Sequence, residues 1–405
     1  MHRDPPQNFQ IPEPSVDVDG ILRSLEQRHV VDTVSGTIRY DISEFDCNKP
    51  SEDSHAEMTN VGPTGAWSFF SVFDGHNGQG TSTYLRDNLH NSLLSNLTNH
   101  DPASGEAFDN VIKDTFKSLD ERIVNGLLGE VFKSKSRANA VRALGPAMAG
   151  SAALLTMYDA ETRLLRVALA GDVRAVLGRR TSTSTDHTSS SESKYKVHLL
   201  SKDQNGLNPA EKSRIEALHP NEPDLIQGKR VAGIAVSRSF GDGLWKWPLD
   251  VQGRLHKEYL GREPFGCVKT PPYLIAEPEV TTAQIRRGDF MIIATDGLWD
   301  ALSNEEAVGL VGAWLDDMNK KEHPIERNAL PVGPGEEDKT ENYGGWHAKK
   351  LFMNIDENAA THLIRNALGG ADRDLTEALM SIGTPRSRYY MDDITVTVVF
   401  FGDFE

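Results

Sequence analysis

Two cysteines, Cys47 and Cys267, are the only thiols among 405 residues, so no disulfide framework holds this chain together, and a reducing compartment suits it. Long apolar runs are missing as well. None approaches the roughly 20 residues of a membrane-crossing helix, which argues against a helical membrane span. Basic excess is also absent: 43 Lys and Arg stand against 59 Asp and Glu, a formal charge of −16. A chain this acidic repels a polyanion, so unassisted nucleic-acid binding is not expected. Residues 1–18 hold four prolines and several acids, with neither an apolar signal core nor an Arg-rich amphipathic helix. They imply either a cytoplasmic chain or one whose targeting segment is not part of this sequence.

What is present reads as an ordinary globular composition, 38% apolar and 25% charged. After a flexible tail over 1–20, Ile21–Arg28 is expected to form a short helix. Strands are expected at Gly36–Tyr40 and at Ala66–Phe73, the latter apolar enough to be covered on both faces. Apolar residues at helical spacing over Gln79–Leu97 and Phe108–Leu128 predict two long amphipathic helices. Ala152–Tyr158, Leu164–Ala170 and Val173–Leu177, divided by turn residues, read as an antiparallel meander. Further helices are expected at Pro209–Leu218, Asn304–Leu315 and Asp356–Leu368, and further strands at Phe290–Ala294 and Ile394–Phe401. Regular βαβ alternation is lacking, and the order fits an α+β fold of stacked antiparallel sheets with helices outside them. One domain over 21–405 is expected, with insertions near 181–193, 244–273 and 331–345.

The chemistry is concentrated in acidic turns that abut apolar β-rich runs. These are Glu52-Asp53 in NKPSED, Asp74 in SVFDGH, Asp172 in ALAGDVR, Asp296 in MIIATDG and Asp392-Asp393 in YMDDITV. An Asp-Gly pair alone most often just makes a turn. Several carboxylates ending buried strands, however, are costly and would repel one another if they converged. Hard divalent cations such as Mg²⁺ and Mn²⁺ relieve both costs, and Gly75 would let a backbone carbonyl approach such an ion.

Longer strings around these acids resemble the metal-dependent Ser/Thr protein phosphatases of the type-2C (PPM) family. They are FFSVFDGHNG (69–78), GSAALL (150–155), ALAGDVRAVL (168–177), RVAGIAVSRSFGD (230–242), ATDGLWD (294–300) and DDITVTVV (392–399), in the family's order. The resemblance implies a central antiparallel β-sandwich flanked by α-helices on both sides, a four-layer αββα arrangement. It implies two Mg²⁺ or Mn²⁺ ions, with Asp74 bridging both, Glu52 and the Gly75 carbonyl on one, and Asp296 and Asp392 on the other. Asp172, with Asp296, would take the further, weaker ion found in some members. Asp53 would orient the bridging water that attacks phosphoserine or phosphothreonine, and His76 would protonate the leaving alcohol. Asp393 receives a supporting role, and Cys47 is read as packing.

One departure stands out. Many members carry a phosphate-gripping arginine where this chain has Asn48, and an amide provides no charged fork. The string N-x-P-x-E-D over Asn48–Asp53, the ending YMDDITVTVV and the bulky segment after SRSFGD resemble the mitochondrial pyruvate dehydrogenase phosphatase branch and its fungal relatives. That implies the pyruvate dehydrogenase complex as phosphoprotein partner and a mitochondrial location. Arg174 and Arg238 are read as structural ion pairs. Trp245 and Trp247 either dock a partner protein or anchor the segment around them. The alternatives are a catalytically silent binding module of the same fold and another two-metal hydrolase such as a nuclease. Retention of the metal-binding acids opposes the first, and the acidic charge opposes the second.

Overall fold

Nearly every residue of Trp67–His76 is apolar or small, and such a strand needs cover on both faces. The computed structural model describes residues 16–98, 105–181, 193–316, 323–333 and 341–402, and it supplies that cover with two stacked sheets and an outer helical layer on each. In chain order the main elements are α1 (Val18–Arg23), β1 (Gln27–Thr33), β2 (Gly36–Phe45), β3 (Ser54–Val61), β4 (Trp67–His76), α2 (Gly80–Leu97) and α3 (Gly105–Asn125). There follow β5 (Gly150–Asp159), β6 (Leu164–Ala170), β7 (Arg174–Arg180), β8 (Tyr195–Leu199), α4 (Pro209–Leu218) and α5 (Leu249–Tyr259). The last group is β9 (Glu279–Gln284), β10 (Phe290–Ala294), α6 (Asn304–Asp316), α7 (Ala359–Ala367) and β11 (Ile394–Phe401).

One sheet runs β1-β2-β11-β10-β7-β8 and the other β9-β6-β5-β4-β3, all antiparallel, with Phe240–Gly241 pairing onto β5. Helices α2 and α3 lie on the second sheet, and α6 and α7 on the first. Apolar side chains between the sheets and beneath α2 and α3 form one core, including Phe69, Phe73, Leu89, Phe116, Leu154 and Ile293. Those between the first sheet and α6 and α7, such as Ile292, Val308, Leu363 and Phe400, form another. The expected αββα order is therefore present.

Several expectations need correction. The first helix spans Val18–Arg23 rather than Ile21–Arg28, because the Asp17 side chain caps it from the Gly20 N–H at 2.9 Å. Gln27 already belongs to β1. The third run of the expected meander leaves its sheet. Gly171, at φ 124°, turns the chain across the sandwich, and β7 pairs with β10 and β8 in the opposite sheet. A side chain at Gly171 would meet Ala152 Cβ at 2.3 Å, so this crossing depends on glycine. The segment 244–273 contains the amphipathic helix α5. Its Trp245 and Trp247 are buried, donating to the carbonyls of Ala232 and Val124 at 3.0 and 3.1 Å, so they anchor the segment. Residues 182–192, nearly all of one expected insertion, and 334–340, about half of the other, lie outside the described residues, as do residues 1–15 of the expected tail. Among the described residues no helix is long and apolar enough to cross a membrane.

Trp247 is 1% exposed, with its ring packed against Gly243 and its indole N–H donating to the Val124 carbonyl of α3. Replacing it with alanine is expected to cost about 3–5 kcal/mol in unfolding free energy, read from a denaturant titration. A loss below about 1 kcal/mol would mean the segment is not anchored through this ring.

Candidate metal centre

The register of the strands puts the acidic turns at one end of the sandwich. Asp74 lies opposite Ala152 near the end of β4, and Asp172 sits in the β6–β7 crossing. Asp296 opens a single helical turn directly after β10, Asp392 lies two residues before β11, and Glu52-Asp53 lead into β3. Asp74, Asp172 and Asp296 each present a carboxylate oxygen within 4.8 Å of the others. They line, with Gly75, His76 and Asp392, a cavity of about 510 Å³. One wall of it comes from the 244–273 segment, through Trp245, Arg262, Phe265 and Cys267.

Burial first, and then the charges of Asp296, Asp53 and Asp172, hold the Asp74 carboxyl well above its ordinary range. Asp172 is pushed up to about 7 by burial and Asp296, against the opposing pull of Lys229. Asp392 is pushed up to about 6 by burial and Asp296. Asp53, 8% exposed, is raised by burial and Asp393 despite accepting a hydrogen bond from Thr395 Oγ1 at 2.9 Å. These are signs of a negative pocket that wants cations. An all-oxygen donor set of this density suits a hard divalent ion.

Glu52 stands at the neighbouring corner. Its carbonyl oxygen is so close to Gly75 that any Cβ there would meet it at 2.0 Å, which explains glycine at that position. Its carboxylate accepts from the Gly78 N–H and from Arg388 Nη1, the latter at 2.7 Å. Asp393 proves to be the clamp of this corner, accepting from Asn48 N at 2.8 Å, Asn48 Nδ2 at 2.9 Å and Glu52 N at 2.9 Å. Buried Cys47 donates to the Met391 carbonyl, and burial raises its thiol pKa, consistent with packing. Arg174 pairs with Asp203 at 2.7 Å and Arg238 with Glu211 at 2.6 Å, as structural ion pairs.

His76 turns toward Asp242, with Nε2 2.9 Å from Oδ2. Burial opposes its protonation most, but Asp242 first, and then Asp172 and Glu52, together raise its pKa and favour the cation that can give up a proton. Asp242 itself is held by Ser239 Oγ at 2.6 Å, and Gly150 leaves the room, since a Cβ there would strike His76 Nε2 at 2.2 Å. Asp242 had no assigned role in the sequence reading; its position closing the string SRSFGD was the available signal. Lys229 was also missed. Its Nζ lies 3.1 Å from Asp172 Oδ2 and 3.4 Å from Asp296 Oδ2, so an ammonium partners the acid that the resemblance gave to a weaker ion.

A β-sandwich with helices outside it and carboxylates gathered at one end is the arrangement that the type-2C resemblance implied. A protein phosphatase 2C family model matches residues 39–329, and the chain belongs to that family. It is a protein serine/threonine phosphatase. Among its relatives, a protein phosphatase 2C homolog of Schizosaccharomyces pombe is 39% identical, covering 96% of this chain and 86% of the relative. The mitochondrial pyruvate dehydrogenase (acetyl-transferring) phosphatase 1 of Saccharomyces cerevisiae is 35% identical, over 95% of this chain and 72% of the relative. Its Homo sapiens counterpart is 28% identical, over 98% and 84%. The crystal structure of a serine-threonine phosphatase 2C from Toxoplasma gondii shares the fold, with a TM-score of 0.50, 20% identity and coverage of 93% and 99%.

The raised carboxyls set a pH dependence of stability. A carboxyl with a raised native pKa keeps its proton in the folded state after the unfolded chain, near pH 4, has lost it. Its stabilising contribution is therefore complete at low pH and is lost as pH rises through about 7 for Asp172 and about 6 for Asp392. With a chelator present, Tm should fall between about pH 5 and pH 7.5, and either Mn²⁺ or Asp172→Asn should flatten that fall. An equally steep fall in Asp172→Asn would place the repulsion elsewhere.

Proposed function

We propose that this chain is a Mg²⁺- or Mn²⁺-dependent phosphoserine and phosphothreonine phosphatase, and that its substrate is phosphorylated pyruvate dehydrogenase in mitochondria. The observation that carries the cation dependence is the convergence of Asp74, Asp172 and Asp296 within 4.8 Å, with Asp392 in the same cavity. Asp74, Asp296 and Asp392 would hold one cation, and Asp74, Glu52 and the Gly75 carbonyl the other. Bound there, such ions would offset the charge of a phosphate ester and make a water molecule more acidic. Asp53, whose carboxylate accepts from Thr395 Oγ1, would act as the acceptor that orients the attacking water. His76 supplies the proton to the departing serine oxygen, and Asp242 holds its Nε2 and stabilises its charged form. The substrate assignment draws on the two mitochondrial pyruvate dehydrogenase phosphatases above, which are similar to this chain over nearly its whole length.

Phosphate release from phosphorylated pyruvate dehydrogenase complex should require Mg²⁺ or Mn²⁺ and stop on chelation. Asp74→Asn should lower kcat by about a hundredfold or more. Release that is indifferent to a chelator, or absent on this complex but brisk on other phosphoproteins, would remove the cation or the substrate respectively.

His76→Gln should slow phosphoserine peptide hydrolysis by about a hundredfold or more, while an aryl phosphate, whose leaving group needs no proton, is largely spared. Equal losses on both substrates would remove the general-acid role.

A further inference from the structure

Substrate phosphate needs a charged grip, and Asn48 does not provide it. Asn48 is 5% exposed, and its backbone N–H and side-chain amide are both engaged by Asp393. Three arginines line the cavity: Arg230, Arg262 and Arg388. Arg230 donates to the Gly233 carbonyl at 2.8 Å, and Arg262 enters from the 244–273 wall. Arg388 differs in placement and in anchorage. Its Nη1 lies 2.7 Å from Glu52 Oε2 and its Nη2 3.7 Å from Asp392 Oδ1, so one planar fork spans two of the proposed cation-binding acids. The turn that carries it is pinned at both ends to Cys47. Ser387 Oγ and Thr384 Oγ1 donate to the Cys47 carbonyl at 2.8 and 3.1 Å, and Cys47 Sγ donates to the Met391 carbonyl at 3.4 Å. Cys47 immediately precedes Asn48. The guanidinium therefore rises beside the corner that the amide fills, from a segment more than 300 residues later in the chain.

We propose that Arg388 grips the phosphoryl group of the substrate, supplying from the turn before β11 the fork that Asn48 lacks. The assignment rests on the phosphatase reading of this site and names a binding residue within it. A guanidinium matches two phosphate oxygens at once, which an ammonium cannot do. The side chain is 43% exposed and opens onto the cavity that holds the acids. Once Glu52 and Asp392 serve cations, their charge is neutralised, and a phosphate dianion becomes the strongest partner within the fork's reach.

Calorimetric titration of inorganic phosphate into the full chain at saturating Mn²⁺ reads this grip without turnover. Arg388→Ala should weaken phosphate binding about ten- to a hundredfold. Arg388→Lys should retain part of the affinity, and Arg262→Ala nearly all of it. Mn²⁺ titrated alone should bind Arg388→Ala at least as tightly as the parent, because a competing cation has left Glu52. With a phosphoserine peptide, the loss should appear in KM more than in kcat. Unchanged phosphate affinity in Arg388→Ala overturns the proposal. So does a weakened Mn²⁺ affinity that accounts for the whole loss, since Arg388 would then merely order Glu52 and Asp392. A parent protein with no cation-dependent hydrolysis of any phosphopeptide would instead defeat the phosphatase reading, whatever its phosphate affinity.

Discussion

Like charges held close together in a partly dry pocket are the constraint around which this molecule is built. Asp74 near the end of β4, Asp172 in the β6–β7 crossing and Asp296 after β10 come from separate parts of the chain, yet their oxygens lie within 4.8 Å. Nothing local favours that arrangement; each carboxyl would be more easily ionised alone in water. It persists because the strands leading to those turns are apolar and buried, and their pairing leaves the turns no other place to go. Packing on both faces of β4, β5 and β10 thus pays for electrostatic strain at one end of the sandwich. Lys229 and Arg388 relieve part of the strain from within the chain. Divalent ions would relieve far more, so the affinity for cations and the cost of folding are one quantity seen from two sides.

Small residues decide how closely the parts can meet. Gly75 lets β4 touch the Glu52 carbonyl, and Gly150 leaves the space in which His76 and Asp242 pair. A methyl group at either position would push apart backbone or side chains that the fold holds in contact. These glycines lie in strands, where their lack of a side chain is otherwise a disadvantage.

The interior of the fold was legible from the sequence because its signal is burial. Trp67–His76, Phe290–Ala294 and Ile394–Phe401 are nearly continuous apolar runs, and each is a central strand. Edge strands gave no such signal. QRHVVDT of β1, SHAEMTNV of β3 and EVTTAQ of β9 are polar because one face or one edge is in water, and β9 pairs with β6, more than 100 residues earlier in the chain. The β6–β7 crossing was misread for a related reason. A Gly-Asp turn looks the same whether it closes a hairpin or carries the chain to another sheet. In the site, the acids that end apolar strands could be read directly. Asp242, Lys229 and Arg388 could not, because they sit in irregular segments and their importance lies in what they face.

Asp393 joins the two ends of the chain, holding the turn at Asn48 and Glu52 from a position just before the final strand. That strand, β11, is interior to its sheet, between β2 and β10. The first sheet therefore has an unfilled slot, and an unfastened corner beside it, until β11 is in place. A shorter chain lacking Asp393 and β11 would hold most of the acidic turns but leave the Asn48–Glu52 corner without its clamp.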